Sequence, residues 1–217
     1  MIRQEQQSHT KNSPTVKNYT TINEAYNFFN RQLFDGILPG CLITLQRQYG
    51  SYGYFAQDRF VAADKQNVTD EIALNPSHFN DHSAEQVLST LVHEMAHLWQ
   101  HHYGKTSRPG YHNREWAAKM REFGLIPSST GEEGGNETGQ KMSHYIATGG
   151  KFANHCANLL KSGFEVPYVQ LWDEAKAQKS KRHNKTKFTC PVCEANAWGK
   201  PELKIICADC EEIMNAG

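Results

Sequence analysis

Residues 93–97, His-Glu-Met-Ala-His, combine two possible metal ligands with a carboxylate at helical spacing. Imidazoles at positions i and i+4 project from one face of an α-helix and can therefore bind one cation together. Glu94 follows the first histidine, where its carboxylate can reach a water on the metal rather than the metal itself. Zinc lowers the pKa of such a water to about 7, and a neighbouring carboxylate can then remove its proton. The segment therefore predicts a zinc site that hydrolyses peptide bonds.

The residues before this motif predict the helix that the motif needs. Ser83 followed by Gln86 resembles a capping box, which marks the start of a helix. Apolar residues then recur at helical spacing: Val87, Leu88, Leu91, Val92 and Leu98. The alternative is that His93 and His97 are ordinary helical residues satisfied by hydrogen bonds, since a chain with 11 histidines can match a short motif by chance. The helical context favours the metal site.

A catalytic zinc ion takes three protein ligands and keeps one open position, so a third ligand is needed. The candidates that follow the motif are His101, His102, His112 and Glu115. His101 lies one turn after His97, but three ligands along one straight helix cannot surround a tetrahedral ion. His102 points in another direction on the same helix. We therefore expect His101 and His102 to be exposed or to support the ligands.

His112 is better placed to complete the site. Gly104 can end the first helix, and residues 107–110, Ser-Arg-Pro-Gly, turn the chain. Asn113 can cap a second helix, so that His112 at its entrance faces back toward the motif. Glu115 remains the alternative ligand, although an acid in the first turn of a helix is also favoured by the helix dipole.

The motif, the Gly104 spacer and residues 111–116, Tyr-His-Asn-Arg-Glu-Trp, together resemble the SprT-like metallopeptidase family. That family includes the Spartan proteases, which cut proteins crosslinked to DNA. The resemblance covers roughly residues 19–125, and residues 26–39 are similar to the family's opening helix and its turn into the sheet. Asn113 is a departure, because many members carry Gly after the third histidine. The resemblance implies three histidine ligands and a catalytic glutamate, carried here onto His93, His97, His112 and Glu94.

A second metal site is predicted near the end of the sequence. Two Cys-x-x-Cys knuckles are separated by residues 194–206, and their members are Cys190, Cys193, Cys207 and Cys210. Four thiolates can surround one structural Zn²⁺ with no open position, and the strand-like residues 204–206 favour a zinc ribbon. Disulfides or free thiols are the alternative, but disulfides suit secreted chains. Cys41 and Cys156 are expected to be small buried apolar residues.

A short polar stretch before the ribbon is rich in basic residues: Lys176, Lys179, Lys181, Arg182, Lys185 and Lys187. Basic residues beside a zinc ribbon suit contacts with nucleic-acid phosphates, so DNA is a predicted partner. A solvated spacer is about as good an interpretation. The ribbon itself is not a strong electrostatic match for DNA, because it carries the acids Glu194, Glu202, Asp209, Glu211 and Glu212.

The 217 residues allow one domain of ordinary size and a small appendage, and the formal net charge is zero. We expect a cytoplasmic protein without a membrane segment, because no apolar run is long enough and metal-type cysteine spacing fits a reducing compartment. The predicted organisation is a disordered tail at 1–18, a SprT-like domain at 19–128, a glycine-rich loop and docking segment at 129–175, a basic linker at 176–187 and a zinc ribbon at 188–217.

The expected fold is α+β and zincin-like, with a small, mainly antiparallel sheet packed on the helices that carry the motif. A helix is predicted over 23–34 and strands over 42–46, 51–55 and 71–75. We suggest 71–75 as the edge strand that pairs with an extended substrate, with a covered core strand as the alternative. Residues 128–150 are interpreted as a long loop, with His144 and Tyr145 in structural roles, and residues 152–160 as a short helix.

These patterns predict a zinc-dependent endopeptidase that uses one catalytic and one structural Zn²⁺. Its substrate would be a protein or peptide, and resemblance to the Spartan proteases suggests proteins bound or crosslinked to DNA. The alternative is a non-enzymatic nucleic-acid-binding or adaptor protein with two structural zinc sites. A general peptidase in which the ribbon only braces the fold would share all the catalytic residues.

Overall fold

The computed structural model describes residues 13–166, 168 and 185–217, and the chain divides into two units, Met1–Leu171 and Trp172–Gly217. The described elements of the first unit are α1 (Pro14–Leu33), β1 (Leu42–Leu45), β2 (Gly53–Val61), β3 (Val68–Leu74), a 3-10 turn (Pro76–His78), α2 (Ala84–Tyr103), α3 (Arg114–Phe123), β4 (Leu125–Ser128), β5 (Ser143–Ile146) and α4 (Lys151–Lys161). Those of the second unit are β6 (Thr186–Thr189), β7 (Asn196–Gly199), β8 (Ile206–Cys207), β9 (Glu212–Ile213) and β10 (Asn215–Ala216). Helices and small sheets together confirm the α+β class.

Helix α1 begins at Pro14, well before the predicted start at residue 23. Its first turn is capped by the Ser13 hydroxyl, which accepts a hydrogen bond from the Val16 N–H, and proline is well tolerated at the first helical position. Residues 14–18, expected in a disordered tail, are therefore helical; the rest of that tail lies outside the described residues. At the other end, the Asn30 side chain bonds both the N–H and the C=O of Leu38, which holds the turn toward the sheet.

The main sheet has the strand order β1-β3-β2. Strand β1 runs parallel to β3 and β2 runs antiparallel to it, so the sheet is mixed rather than mainly antiparallel. The prediction that residues 71–75 form an edge was wrong, because β3 is the central strand and its residues 70–74 are buried on both faces. Strand β2 is an edge strand and pairs only with β3 among the described residues.

Helix α2 carries the His-Glu-Met-Ala-His motif. The predicted capping box at its start is confirmed, since Ser83 and Gln86 exchange hydrogen bonds between side chain and backbone. The apolar face of the helix forms much of the core: Val87, Leu88, Leu91, Val92, Met95, Ala96 and Leu98 are all buried. The helix continues to Tyr103, so His101 and His102 lie in its last turn and Gly104 follows as its C-cap.

Helix α3 packs an apolar stripe of Trp116, Met120 and Phe123 into the core, where all three are fully buried. It ends at Gly124, whose left-handed backbone brings the chain against Gly150; a Cβ on Gly124 would lie 2.7 Å from the Gly150 Cα. The predicted loop over 128–150 is only partly a loop, because β5 pairs antiparallel with β4. Helix α4 confirms the predicted helix over 152–160.

The second unit consists of the three-stranded sheet β10-β6-β7 and the short hairpin β8-β9. Its small core contains Phe188, Cys190, Cys207 and Met214. Of the predicted glycine-rich loop and docking segment at 129–175, residues 167 and 169–175 lie outside the described residues. No helix in the described part of the chain is both long and apolar enough to cross a membrane.

Candidate functional site

The structure brings the three predicted histidines together between α2 and the start of α3. Donor nitrogens of His93, His97 and His112 all lie within 4.8 Å of one another. The ring centroid of His93 lies 5.3 Å from that of His97 and 5.4 Å from that of His112, and the centroids of His97 and His112 are 4.7 Å apart. Three imidazoles around one point suit a zinc ion, and a set of three leaves the open position that catalysis needs. The triad could therefore hold a metal ion of the catalytic type.

Trp116 forms a common platform for these rings. Its ring centroid lies 4.8 Å from that of His93, 5.1 Å from that of His97 and 4.5 Å from that of His112. Trp116 is fully buried in the first turn of α3, next to the helix entrance that carries His112. Packing of α3 on α2 therefore sets the positions of all three imidazoles at once.

A backbone bridge to Gly139 orients His112. The His112 N–H donates to the Gly139 carbonyl at 2.8 Å, and the Gly139 N–H donates back at 3.1 Å. The His112 Nδ1 also lies 3.2 Å from the same carbonyl oxygen. A carbonyl only accepts, so Nδ1 carries the proton and Nε2 keeps its lone pair for a metal. Gly139, in the segment between β4 and β5, thus fixes the orientation of the His112 ring.

Glu115, the alternative third ligand, is engaged elsewhere. Its Oε2 accepts hydrogen bonds from the Gln100 amide at 2.8 Å and from the Lys105 N–H at 2.6 Å. Asn113 caps α3 as predicted, accepting from the Trp116 N–H, and it also bonds Gln100 and the Lys105 carbonyl. These bonds join the end of α2 to the start of α3. Glu115 therefore fixes the helix pair and is not part of the converging set.

His93 is oriented by a chain of hydrogen bonds that the sequence did not reveal. The Ser89 hydroxyl donates its single proton to the Gln86 carbonyl at 2.8 Å. Ser89 must then accept from His144 Nε2, which lies 2.9 Å away. With its proton on Nε2, His144 accepts at Nδ1 from the His93 Nδ1, 3.2 Å away. His93 is left with a free lone pair on Nε2, the nitrogen available to a metal.

His144 was considered near the cleft from the sequence, but only in a structural role. The position of His144 beside His93 depends on the register of β4 with β5. In that register His144 pairs with Pro127 and Tyr145 pairs with Ile126. Successive strand residues point to opposite faces, so Tyr145 projects away from the side that His144 presents to His93. This register depends on a pairing between distant residues, which the loop-like composition of 128–150 concealed.

Glu94 lies beside the triad and is not one of its converging donors. It is only 5% exposed, and burial raises the pKa of its carboxyl to about 8, while a hydrogen bond from the Phe55 N–H of β2 opposes that shift. A Cβ on Gly53 would lie 3.2 Å from the Glu94 Oε1 and 2.8 Å from the Ala73 carbonyl oxygen. Glycine at position 53 therefore lets the edge strand approach the carboxylate closely. A cation held by the imidazoles would favour the ionised form of Glu94.

The four cysteines of the second unit also converge. Their sulfur atoms all lie within 4.8 Å of one another, and the Sγ atoms of Cys193 and Cys207 are 3.7 Å apart. Thiolates at about 2.3 Å from a tetrahedral zinc ion are roughly 3.8 Å apart, whereas a disulfide needs about 2 Å. All four are free thiols. The arrangement is consistent with a zinc ribbon and could bind one ion without an open position.

The cysteine cluster favours a cation on electrostatic grounds. N–H groups of Cys193 and Val192 lower the pKa of the Cys190 thiol to about 7. Hydrogen bonding to Cys193 and burial raise the pKa of Cys210 to about 12. Thiols crowded in this way cannot all ionise together unless a positive charge lies among them. Zinc would supply that charge.

The basic linker is described only at its end. Lys179, Lys181 and Arg182 lie outside the described residues, while Lys185 and Lys187 are exposed. Lys187 on β6 is the cross-strand partner of Trp198 on β7, and Trp198 is 62% exposed. A cation beside an exposed indole is a combination that can bind a phosphate and stack on a base.

Comparison with known proteins agrees with this geometry. The family model described as SprT-like matches residues 22–133, slightly more than half of the chain. A Salmonella typhimurium protein described as "Uncharacterized protein in mucB 3'region" is 48% identical over 61 residues, which cover 28% of this chain and 82% of that protein. The family model covers the main sheet, α2 and α3, and with them all three histidines, and the chain belongs to the SprT-like family.

Proposed function

We propose that this protein is a zinc-dependent endopeptidase in which His93, His97 and His112 hold the ion and Glu94 is the general base. The observation that carries the proposal is the convergence of three imidazoles within 4.8 Å beside a buried carboxylate that is not part of the set. A purely structural site has no use for that carboxylate beside an open coordination position.

A zinc ion bound by the triad would polarise a carbonyl and lower the pKa of water to about 7. Glu94 then accepts the proton of the attacking water at a carboxylate oxygen and delivers it to the departing amine. The Phe55 N–H holds that carboxylate on the side of the edge strand. His144 and the Gly139 carbonyl hold two of the three imidazoles in the tautomer that binds a metal through Nε2.

The substrate backbone is proposed to lie along β2. This strand replaces the 71–75 segment that we first suggested, because β3 is paired on both sides whereas β2 pairs only with β3 in the described part of the chain. An extended peptide added to an open edge gains main-chain hydrogen bonds. Gly53 and Phe55 of the same strand adjoin Glu94, so a bound peptide would pass the general base.

The direct test is the Glu94→Gln variant, which removes the base while keeping the size of the side chain. We expect it to retain metal and to lose peptide cleavage by at least about 10²-fold. Glu85→Gln, in the first turn of the same helix, is the matched control and should cleave like the wild type. Undiminished cleavage by the Glu94 variant would refute the assigned role, whereas a wild type that binds metal but cleaves no peptide would favour a non-enzymatic adaptor.

We further propose that the substrates are proteins bound or crosslinked to DNA, with the second unit as the anchor. The support is the resemblance to the Spartan proteases and the pairing of Lys187 with the exposed Trp198. A single-stranded DNA probe, titrated with the full chain at several salt concentrations, measures the contribution of each residue. Trp198→Ala should weaken binding at every salt concentration, because a stacking contact is lost.

Lys187→Ala should weaken binding and reduce the salt slope by about one unit of log K per log salt, while Lys161→Ala on α4 serves as the control. The cleavage rate of a DNA-binding protein, measured with and without DNA, links binding to proteolysis. Cleavage unaffected by DNA, together with salt-independent binding, would instead identify a general peptidase whose ribbon only braces the fold.

A further inference from the structure

We infer that Asp70, His101 and His102 form an additional binding site for a divalent transition-metal ion. Asp70 lies on the central strand β3, and the two histidines occupy the last turn of α2. One donor atom from each residue lies within 4.8 Å of the others. The Nε2 of His102 is 2.7 Å from Asp70 Oδ2, and that of His101 is 3.9 Å from Oδ1. Both imidazoles thus direct the same nitrogen toward one carboxylate.

The Asp70 carboxylate is buried, and its burial favours a cation beside it. Its side chain is only 6% exposed, and the Asp58 N–H donates to its Oδ1 at 2.8 Å. Among the described residues, the two histidines are the basic side chains within 4.0 Å of Asp70, and Arg59 contacts Glu71 instead. A buried carboxylate is costly without a compensating positive charge. A metal ion would supply that charge and bind both imidazoles in their neutral form.

The donor set has the composition of a known class of metal site. Two imidazoles and one carboxylate suit zinc and other divalent transition ions, and three protein ligands leave positions for water. The side chains of His101 and His102 are 21% and 35% exposed, so an ion can enter from solvent. The Asp58 N–H bond orients the carboxylate as supporting contacts do in metal sites.

This site shares no residue with the His93 triad. The ring of Phe55 packs near a member of each group, with its centroid 6.5 Å from that of His97 and 5.9 Å from that of His101. An ion at Asp70 would join the end of the motif-bearing helix to the centre of the sheet. Because it would bind the folded state and not the unfolded chain, its occupancy would raise the unfolding temperature.

The test is a zinc count on the full chain, by equilibrium dialysis at buffered free zinc followed by metal analysis. We expect the wild type to bind one zinc more than the double variant His101→Ala/His102→Ala. The matched control is His155→Ala, which removes an imidazole that packs on Phe28 and should bind as much zinc as the wild type. Equal zinc counts for the wild type and the double variant would overturn the site and leave only a hydrogen bond between Asp70 and His102.

Circular dichroism in the presence of a chelator shows whether the double variant folds. If it does not, the single variant His101→Ala provides the same comparison. It should need at least about tenfold more free zinc to fill the additional site than the wild type needs. An unchanged zinc isotherm for that variant would likewise exclude His101 as a ligand. Peptide cleavage is not part of either readout, so the result is independent of the proposed catalytic role.

Discussion

The Nδ1 atoms of His93 and His144 lie 3.2 Å apart, although the two residues come from a helix and a hairpin that are distant in sequence. His144 also bonds the Ser89 hydroxyl one helical turn before His93. The two contacts fix which nitrogen of His93 faces the triad. A residue from the predicted loop region therefore orients a histidine of the motif.

We predict that His144→Ala weakens zinc binding at the triad by about 10–100-fold, because His93 loses the acceptor that holds its tautomer. His144→Asn should restore part of the affinity, since the amide oxygen can accept from His93 Nδ1. Competition with a chelator measures both values. Tyr145→Phe, the neighbouring residue on the opposite face of β5, is the control, and equal affinities for the wild type and His144→Ala would exclude the positioning role.

Glu115→Ala is expected to destabilise the first unit by about 1–3 kcal/mol while leaving the metal stoichiometry unchanged. The reason is that the Gln100 amide and the Lys105 N–H lose their acceptor at the junction of α2 and α3. Urea unfolding and metal analysis of the same preparation provide the two readouts. Loss of one zinc at unchanged stability would instead show that Glu115 is a ligand.

The stability of the metal-free first unit should fall on acidification. Burial lowers the pKa of His144 to about 4 and that of His97 to about 3, both from an ordinary value of 6.5. The unfolded chain therefore binds more protons than the folded one below pH 6.5, and stability decreases as the pH falls from there toward 4. Each group contributes up to about 1.4 kcal/mol per pH unit; the raised pKa of Glu94 acts in the opposite direction, but this single carboxyl does not offset both imidazoles between pH 6.5 and 4.5.

Hydrogen exchange of the α2 amides in a chelator, at pH 7.5, 6 and 5, measures this loss after correction for the intrinsic exchange rate. His144→Asn removes one of the titrating groups and should give a shallower dependence than the wild type. A free energy of opening that does not change with pH would contradict the assignment of neutral buried imidazoles.

The second unit is expected to depend on its cysteines for folding. Its core is limited to a few residues around Phe188 and Met214, so metal binding must supply most of the folding free energy. Cys193→Ser should abolish protection of the β6 and β7 amides against hydrogen exchange while leaving α2 protected. Cys41→Ser, in the first unit and outside the cysteine cluster, is the control. Persistent protection of β6 in the variant would show that the strands fold without the ion.

Local features of the site were predictable because short-range interactions determine them. The capping box at Ser83 and the Asn113 cap on α3 depend on residues three positions apart, and both are present as expected. The convergence of His112 on the motif also followed from a single turn between two helices. In these cases the spacing along the chain limits the possible positions in space.

Features that depend on distant pairing were not predictable in the same way. The edge position predicted for 71–75 was wrong, because the acidic residues Asp70 and Glu71 do not reveal in the sequence that both faces of β3 are covered. The early start of α1 was missed because the residues after Pro14 are mostly polar. The role of His144 required the register of β4 with β5.

One indole ring packs against all three imidazoles, two on α2 and one just before α3, so the three positions are not independent of one another. A small slide of α3 along α2 would shift Trp116 beneath every imidazole and carry His112 with it. We therefore expect zinc affinity to change whenever the packing of these two helices changes, even when the substitution is far from any donor atom. In variants selected only for poor metal retention, the substituted positions should accordingly be spread over the whole contact between α2 and α3.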